Sequence, residues 1–503
     1  MSTYDAIIIG ANIEGLATAG LLAKAGRHVV VLEASDVLGG LAARRSFHDG
    51  FAAPGILHDA SRLQRDVVRR LELQNHGLIR RDATTLLVSE GQDDIAVNHD
   101  GISGPDAERF NAWRAWIDKV SPVVHSLLDS PAPPLDASLP RLAWPALRLG
   151  AKMRKLGRRD MTEFLRVPPM CAADWLDEWF EDDGLKAGIA APAMEGLWGG
   201  PWSAGTAATL LFREVTAGQD VVGGASAVVD ALEDCLRANR VEVRTNSRVT
   251  SIRCRDDRAV GVTLARGDTV DAAVVASALD PQTTLLDLLG PTDLPPNLVH
   301  DISGWRCRGT TAKMHLAIEG PAPFVGDDDR PVDVVRTAGS LDHLERAFDS
   351  IKYGEMSERP ILDIRVPSLG SPELAPEGHH VVSIMAHFAP FELREGWSDE
   401  TRDALTTSIL ATLARHAPHV TNRIVGQETL TPADLESELG LRGGHVHHGE
   451  VALDQLLSLR PSVACADHST PLPGLFLCGP GTHPGPVPWM GSARLTARRV
   501  LSQ

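Results

Sequence analysis

The chain has 503 residues, of which 43% are hydrophobic and 23% charged, a composition typical of a globular protein with a large core. The formal net charge of −17 disfavours nucleic acid as a partner. No apolar run approaches the ~18 residues that cross a bilayer. The six cysteines form no CxxC pair, so we expect no metal site, no disulfide framework and a cytoplasmic location.

The first forty residues predict a strand, a glycine turn, a helix and a second strand. Tyr4–Ile9 is an apolar run, the turn spans Gly10 to Gly15, and a second apolar run from His28 to Leu32 leads to Glu33. This order predicts a βαβ unit of the nucleotide-binding type, in which the helix start holds a pyrophosphate and the acid accepts from a ribose hydroxyl. The first strand begins almost at the N-terminus, so we expect no secretory or transit peptide.

Two residues of the turn depart from the usual glycine pattern. Asn12 stands where a glycine normally lets the backbone approach the phosphates, and its Cβ takes space. Glu14 brings a carboxylate near the phosphate site, which is unfavourable unless it points to solvent. An ordinary α/β unit without a ligand is the alternative interpretation. Beyond Glu33, the pair Gly39-Gly40 and Arg44 favour further contact with the same ligand, and a plain turn is the alternative.

Residues 90 to 215 predict an inserted helical region, the natural place for a substrate wall. A helix is also expected over His58–Leu73 just before it. Within the region, Arg141–Arg159 carries seven basic residues and no acid, interspersed with leucines and a tryptophan. This pattern is typical of a segment that leans on an anionic membrane surface. The alternative is a solvated helical face whose arginines pair with the many acids of the chain.

The α/β pattern returns after Val221, with a helix over Ala225–Asn239 and then short strands with period 2. We expect the strands to add a small β-layer over the adenine end of a nucleotide, where Val249 offers backbone hydrogen bonds. The predicted strands are Val241–Arg244, Val249–Arg253, Val260–Leu264 and Val270–Ala276.

The chain ends in a strand over residues 474–478, a glycine- and proline-rich loop, and a helix that starts at Gly491. These elements can return to the sheet begun at Tyr4, so that the helix start stabilises negative charge on a bound ring. Before them, the stretch 442–450 holds three histidines. His447 and His448 are adjacent and point to opposite faces of an extended chain, so a polar pocket is favoured over a metal site.

The N-terminal VLEASDVLGG, the segment Val249–Ala276, GLFLCGPGTHPG and GSARLTARR near the C-terminus together resemble the phytoene desaturase-related FAD oxidoreductases. The stretch Gly443–Pro461 resembles most the branch named for pyridine nucleotide-disulfide oxidoreductase domain 2. The resemblance implies an α/β fold: a Rossmann-type FAD-binding domain, made of a parallel sheet and a small β-layer, with an inserted α+β substrate domain. It places the FAD-binding domain at 1–90, 215–290 and 450–503, and the substrate domain at 91–214 and 291–449.

The resemblance also implies which residues contact FAD and which reaction follows. The predicted FAD contacts are Gly10, Asn12, Gly15, Glu33, Ala34, Gly39, Gly40, Arg44, Val249, Gly479, Gly481, Met490 and Gly491. The implied reaction is dehydrogenation or isomerisation of a C–C bond in a large apolar substrate. Independently of the resemblance, we name His483 and His445 as candidate catalytic groups. The loop Pro486–Trp489 is glycine-rich in the family, and here it could reshape or block the space over the flavin ring.

Three alternatives stay open from the sequence. An amine oxidase-type flavoenzyme usually cages its amine between aromatic rings, and two tyrosines in the chain argue against one. A flavin fold that has lost FAD and serves as a binding or scaffold protein would fit Asn12, Glu14 and the proline loop. Lys313, inside a strand pattern, is either a proton relay beside a flavin or, as we expect, an exposed residue of an edge strand. The sequence does not indicate an oligomeric state.

Overall fold

The computed structural model describes residues 4–89, 94–133, 135, 139–326, 329–337 and 339–503, and the side chains of residues 139–145 lie outside this description. Within these residues the strands are, in chain order, β1 (Tyr4–Ile9), β2 (Val29–Leu32), β3 (Arg45–His48), β4 (Phe51–Ala53), β5 (Arg80–Arg81), β6 (Thr85–Val88), β7 (Ile95–Val97), β8 (Asp220–Val221), β9 (Glu242–Arg244), β10 (Val249–Arg255), β11 (Arg258–Leu264), β12 (Thr269–Ser277), β13 (Thr311–Glu319), β14 (Val334–Thr337), β15 (Ile361–Arg365), β16 (His379–His387), β17 (Ile424–Leu430) and β18 (Leu475–Leu477).

The α-helices follow the same order along the chain and connect or cover these strands. They are α1 (Ile13–Lys24), α2 (Arg65–Leu71), α3 (Ala107–Leu128), α4 (Leu139–Lys155), α5 (Arg158–Arg166), α6 (Ala172–Asp177), α7 (Asp183–Ala190), α8 (Thr206–Thr216), α9 (Gly224–Ala238), α10 (Pro296–Ser303), α11 (Leu341–Lys352), α12 (Asp399–His416), α13 (Pro418–Thr421), α14 (Pro432–Leu439) and α15 (Gly491–Leu501).

The first sheet joins the two ends of the chain. Its parallel part has the order β18-β12-β1-β2-β9, and β12 continues into an antiparallel meander with β11 and β10. The parallel strands are buried apolar runs because helices α1, α9 and α15 cover one face. The meander, α10 and the loops before β18 cover the other face. This arrangement confirms the predicted Rossmann-type fold with a parallel sheet and a small β-layer.

The second sheet has the order β17-β13-β16-β15-β14-β6-β7 and is antiparallel except between β14 and β6. Helix α12 packs on one of its faces. Strand β6 belongs to this sheet, although it lies inside the range 1–90 that the resemblance assigns to the FAD-binding domain. The domain boundaries remain a prediction.

A helical block built from α3 and α5–α8, together with α11, has its own core around Trp113, Trp116 and Trp175. The expected helix over His58–Leu73 is wrong in its first half, since α2 begins only at Arg65. The backbone before α2 pairs with the chain end instead: Trp489 N–H donates to Arg62 C=O, and Gln64 N–H donates to Trp489 C=O. A segment that makes these long-range bonds cannot also close helical turns.

Candidate functional site

The glycine turn between β1 and α1 is built so that only glycine fits at two of its positions. Gly10 has φ +90°, and a Cβ on Gly15 would lie 2.2 Å from the carbonyl oxygen of Gly10. The helix start is therefore packed directly on the end of β1. This leaves the first N–H groups of α1, which lack intrahelical acceptors, beside the carboxyl end of the strand.

Asn12 compensates for the glycine that the usual pattern has at its position. Its φ of −72° lies in the extended region, so the backbone here does not need a glycine. Its Oδ1 accepts from Gly15 N–H at 3.0 Å, and its Nδ2 donates to Ala278 C=O at 2.8 Å. The side chain is thus held by α1 and the end of β12. It caps the helix, and the cavity described below stays open beside it.

Glu33 and the double glycine lie against the same turn. The Glu33 carboxylate accepts from Ala11 N–H at 2.7 Å and from Ser35 N–H at 2.8 Å. Gly39 has φ +109°, and its N–H donates to Ala11 C=O at 2.8 Å. These bonds bring Glu33, at the end of β2, and the double glycine Gly39-Gly40 together beside the glycine turn, as the βαβ pattern predicts.

A cavity of about 760 Å³ runs along this wall. Its size lies within the ~300–1,000 Å³ that binding sites for small molecules occupy. Eight of the thirteen predicted FAD contacts line it: Gly10, Asn12, Glu33, Ala34, Gly39, Gly40, Arg44 and Val249. Five do not line it: Gly15, Gly479, Gly481, Met490 and Gly491.

Residues near the C-terminus, close in sequence to Gly479, Gly481 and Met490, also line the cavity. Pro480, Pro486 and Trp489 form part of the wall, so the proline loop shapes the cavity and leaves it open. Arg44 lines the cavity and also pairs with Asp230 at 3.3 Å, so part of its charge is already balanced. Arg45, which pairs with Glu428 and Glu438, and Arg248 are further cations on the wall, and neither was predicted as a cofactor contact.

Glu14 does not point to solvent, as a carboxylate beside a phosphate site was expected to do. Its side chain is buried and accepts from Met490 N–H at 2.6 Å, Ser492 Oγ–H at 2.8 Å and Ala493 N–H at 2.9 Å. Burial raises its pKa to about 7, and the three hydrogen bonds oppose the rise. The carboxylate therefore caps α15, whose free N–H groups were expected to face a bound ring.

The two histidines predicted as catalytic are buried away from the cavity. His483 Nε2 lies 3.2 Å from Leu127 C=O and 3.0 Å from Ser130 C=O. His445 Nε2 lies 3.2 Å from Gly196 C=O, while its Nδ1 accepts from two backbone N–H groups. Burial lowers the pKa of His483 to about 4 and that of His445 to about 3. Their contacts favour a structural role, and the neighbouring His447 and His448 line the cavity instead.

Lys313 is not on an edge strand, and that expectation is wrong. Strand β13 lies between β16 and β17, and Lys313 is 1% exposed. Its Nζ is 2.7 Å from His58 Nδ1, and His58 Nε2 is 3.5 Å from Asp363 Oδ1. Burial lowers the pKa of Lys313 to about 7 and that of His58 to about 3. The structure thus places an amine that can lose its proton near neutral pH inside the protein.

An acidic side chain lies between the electrostatic surroundings of this lysine and the cavity wall. The side chain of Glu195 is 8% exposed, and its charge is the largest influence that raises the pKa of Lys313 against the effect of burial. Glu195 Oε1 lies 3.6 Å from Nε2 of the wall residue His447. Sequence reasoning missed Glu195 and His58, because each meets Lys313 or His447 only through the tertiary fold.

Within the described residues, no group of three or more His, Cys, Asp or Glu side chains is arranged to hold a metal ion. The cavity walls instead offer glycine backbone, a helix start, a carboxylate and apolar side chains. These fit an extended dinucleotide: close backbone for the phosphates, an acceptor for a ribose and apolar contact for a flat ring.

Comparisons with known proteins agree with this geometry. The sequence model of the family described as "Flavin containing amine oxidoreductase" matches residues 15–500. The chain is 30% identical to pyridine nucleotide-disulfide oxidoreductase domain-containing protein 2 of Rattus norvegicus, over 99% of the chain and 93% of that relative. It is 25% identical to a lycopene-forming phytoene desaturase of a Paracoccus species, over 99% of the chain and 97% of that relative. Its fold matches a putrescine oxidase structure with a TM-score of 0.64 at 17% identity, covering 99% and 98% of the two chains.

Proposed function

The chain belongs to the family of flavin containing amine oxidoreductases, and from this membership we propose that it dehydrogenates or isomerises a C–C bond of a large apolar substrate. That the protein is a flavin oxidoreductase with FAD as cofactor follows from the family and its relatives. The proposal concerns the substrate class, polyene or lipid-like, and the residues that serve it.

We assign the ADP half of the cofactor to the residues of the cavity. The start of α1 and the backbone of Gly10, Gly39 and Gly40 would hold the pyrophosphate. Glu33 would accept from the ribose, and Val249 would meet the adenine. When bound, FAD accepts the two electrons of the dehydrogenation. The protein contributes position, an apolar environment and a route for the proton.

One observation carries the substrate class: within the described part of the chain, Trp489 is the only Trp, Tyr or Phe that lines the cavity, so no pair of such rings forms a cage there. Neither tyrosine of the chain lines it, since Tyr4 is in β1 with its hydroxyl on Glu242 and Tyr353 is exposed. Among the described residues no phenylalanine lines it either, and its apolar lining includes Ile56, Leu57, Leu279 and Leu441 as well as Pro480 and Pro486. Aliphatic side chains without a pair of aromatic faces suit a hydrocarbon better than an ammonium group held between aromatic rings. The phytoene desaturase relative is named for a hydrocarbon substrate, which supports the same class.

Lys313 is the group we assign to take up the proton that leaves with dehydrogenation. An acid–base catalyst works best when its pKa is near the working pH, and the pKa of Lys313 is lowered to about 7. The charge of Glu195, which lies 3.6 Å from the wall residue His447, acts on Lys313, and His58 Nδ1 lies 2.7 Å from the Lys313 amine. In this role the neutral amine receives the proton and shares it with His58.

The test is anaerobic reduction of the purified flavoprotein by a panel of candidate substrates. Loss of the flavin absorption near ~450 nm would report electron transfer to the cofactor. We expect polyenes, terpenoids or long-chain lipids to reduce it and primary amines to leave it oxidised. If only amines reduce the flavin, the substrate proposal is wrong and amine oxidation, the other activity found in this family, takes its place.

A further inference from the structure

The cationic segment of the helical block, residues 146–159 in α4 and the start of α5, carries unbalanced charge on the surface. The sequence has no aspartate or glutamate from residue 137 to residue 159. Besides Arg148, its exposed basic side chains are Lys152, Arg154, Lys155, Arg158 and Arg159. A cluster of this density in a chain of net charge −17 needs a physical explanation.

The last five of these side chains differ from their basic neighbours in their ion pairing. Within the described part of the chain, none of them forms an ion pair with a carboxylate, whereas Arg166 nearby pairs with Glu163 and Glu178. The alternative drawn from the sequence, in which the segment pairs with the chain's own acids, therefore fails for these residues. Their charge remains available to an anionic partner.

The face that carries these charges also exposes an apolar side chain. Leu149, Met153 and Leu156 pack toward the core of the helical block. Leu147 is 64% exposed, and Ala151 and Arg154 follow it at the i+4 and i+7 positions on the outward face. A leucine among cations on an outward helix face is typical of a helix that lies in a membrane interface.

We propose that the cationic segment docks the protein on the surface of an anionic lipid bilayer. The rest of the chain is strongly acidic and is repelled by such a surface, so the segment would orient the protein as well as attract it. The described helices include none that is long and apolar enough to cross a membrane, and the contact is therefore peripheral. The inference stands apart from the proposed substrate. If both hold, the protein docks where an apolar substrate dissolves.

The experiment is co-sedimentation of the full chain with vesicles of phosphatidylcholine alone or mixed with phosphatidylglycerol. We expect binding only to the anionic vesicles, and its loss as salt is raised. Each basic residue near the surface contributes roughly fivefold to partitioning. The triple variant Lys152→Gln, Arg154→Gln, Lys155→Gln should therefore bind on the order of a hundredfold more weakly. Leu147→Gln should weaken binding at every salt concentration.

A matched control removes the same charge elsewhere. Arg27, Arg255 and Arg266 are exposed basic residues outside the segment, and their triple substitution by glutamine should leave vesicle binding unchanged. The flavin absorption of each variant shows that the cofactor site is intact, which separates this test from that of the substrate.

Three outcomes would overturn the proposal: wild-type protein that ignores anionic vesicles at low salt, equal losses in the two triple variants, or binding to duplex DNA in place of vesicles.

Discussion

Glu14 ties the two ends of the chain together, and its substitution by glutamine tests that connection. The carboxylate in α1 accepts from Met490 N–H, Ser492 Oγ–H and Ala493 N–H at the start of α15. Burial raises its pKa from 4.5 to about 7 in the folded protein. Between these two pH values the folded state binds the proton more tightly than the unfolded state. The contribution of Glu14 to stability therefore falls as pH rises through this window.

The size of the effect follows from the size of the pKa shift. A rise from 4.5 to about 7 corresponds to about 3 kcal/mol of stability lost from this group between pH 4.5 and pH 8. The Glu14→Gln variant has no carboxyl group to ionise at this position. Its free energy of unfolding should therefore lack the fall with rising pH that Glu14 causes in the wild type. The substitution also turns an amide NH₂ toward N–H donors, which costs about 1–3 kcal/mol at every pH. The stability difference between wild type and variant should therefore be largest at low pH and shrink as pH rises.

The assay is denaturant unfolding of both proteins from pH 4.5 to pH 8. Glu108→Gln, on the exposed side of α3, is the control for loss of one carboxylate and should show no such trend. If the difference in free energy of unfolding between wild type and Glu14→Gln stays constant with pH, the pKa of Glu14 is not raised. A difference that grows as pH rises would show that the N–H groups of α15 stabilise the anion more strongly than burial opposes it.

Three further predictions concern the cofactor site and the buried lysine. Gly15→Val puts a side chain 2.2 Å from the Gly10 carbonyl oxygen and should lower the FAD content at least tenfold, measured by absorption, while Gly150→Ala, with open space around it, should keep full content. Glu33→Gln should weaken FAD binding about 10- to 100-fold in a fluorescence titration, and an unchanged Kd would exclude a ribose contact. Lys313→Met should remove the rise of kcat/KM that we expect in the wild type as pH passes about 7, and a retained rise would assign it to another group.

The sequence predicted the first sheet well because its signals are local. The apolar run of β1, the glycine turn, the acid after β2 and the period-2 strands from Val249 each occupy a few adjacent residues. Gly10 and Gly39 could be placed because their backbone conformations require glycine. These residues define one wall of the cavity, and most of the predicted contacts that line it come from them.

The remaining features depend on contacts between distant parts of the chain. The partners of Glu14 lie more than 470 residues away, so its direction could not be read from the turn. Lys313 is interior only because β17 pairs on the outer side of β13. The first half of the predicted helix at His58–Leu73 is absent because Trp489 takes its backbone bonds. Periodicity carries no information on such pairings.

The measurement that tests the central claim most directly is the FAD content of the purified chain. We expect one FAD per chain, with visible flavin absorption. Added FAD at ~100 times its Kd should stabilise protein that has lost the cofactor by about 2.7 kcal/mol. A colourless protein whose melting temperature does not change with added FAD would show that the cavity between the two chain ends holds no flavin. The assignment of this cavity to FAD would then be wrong.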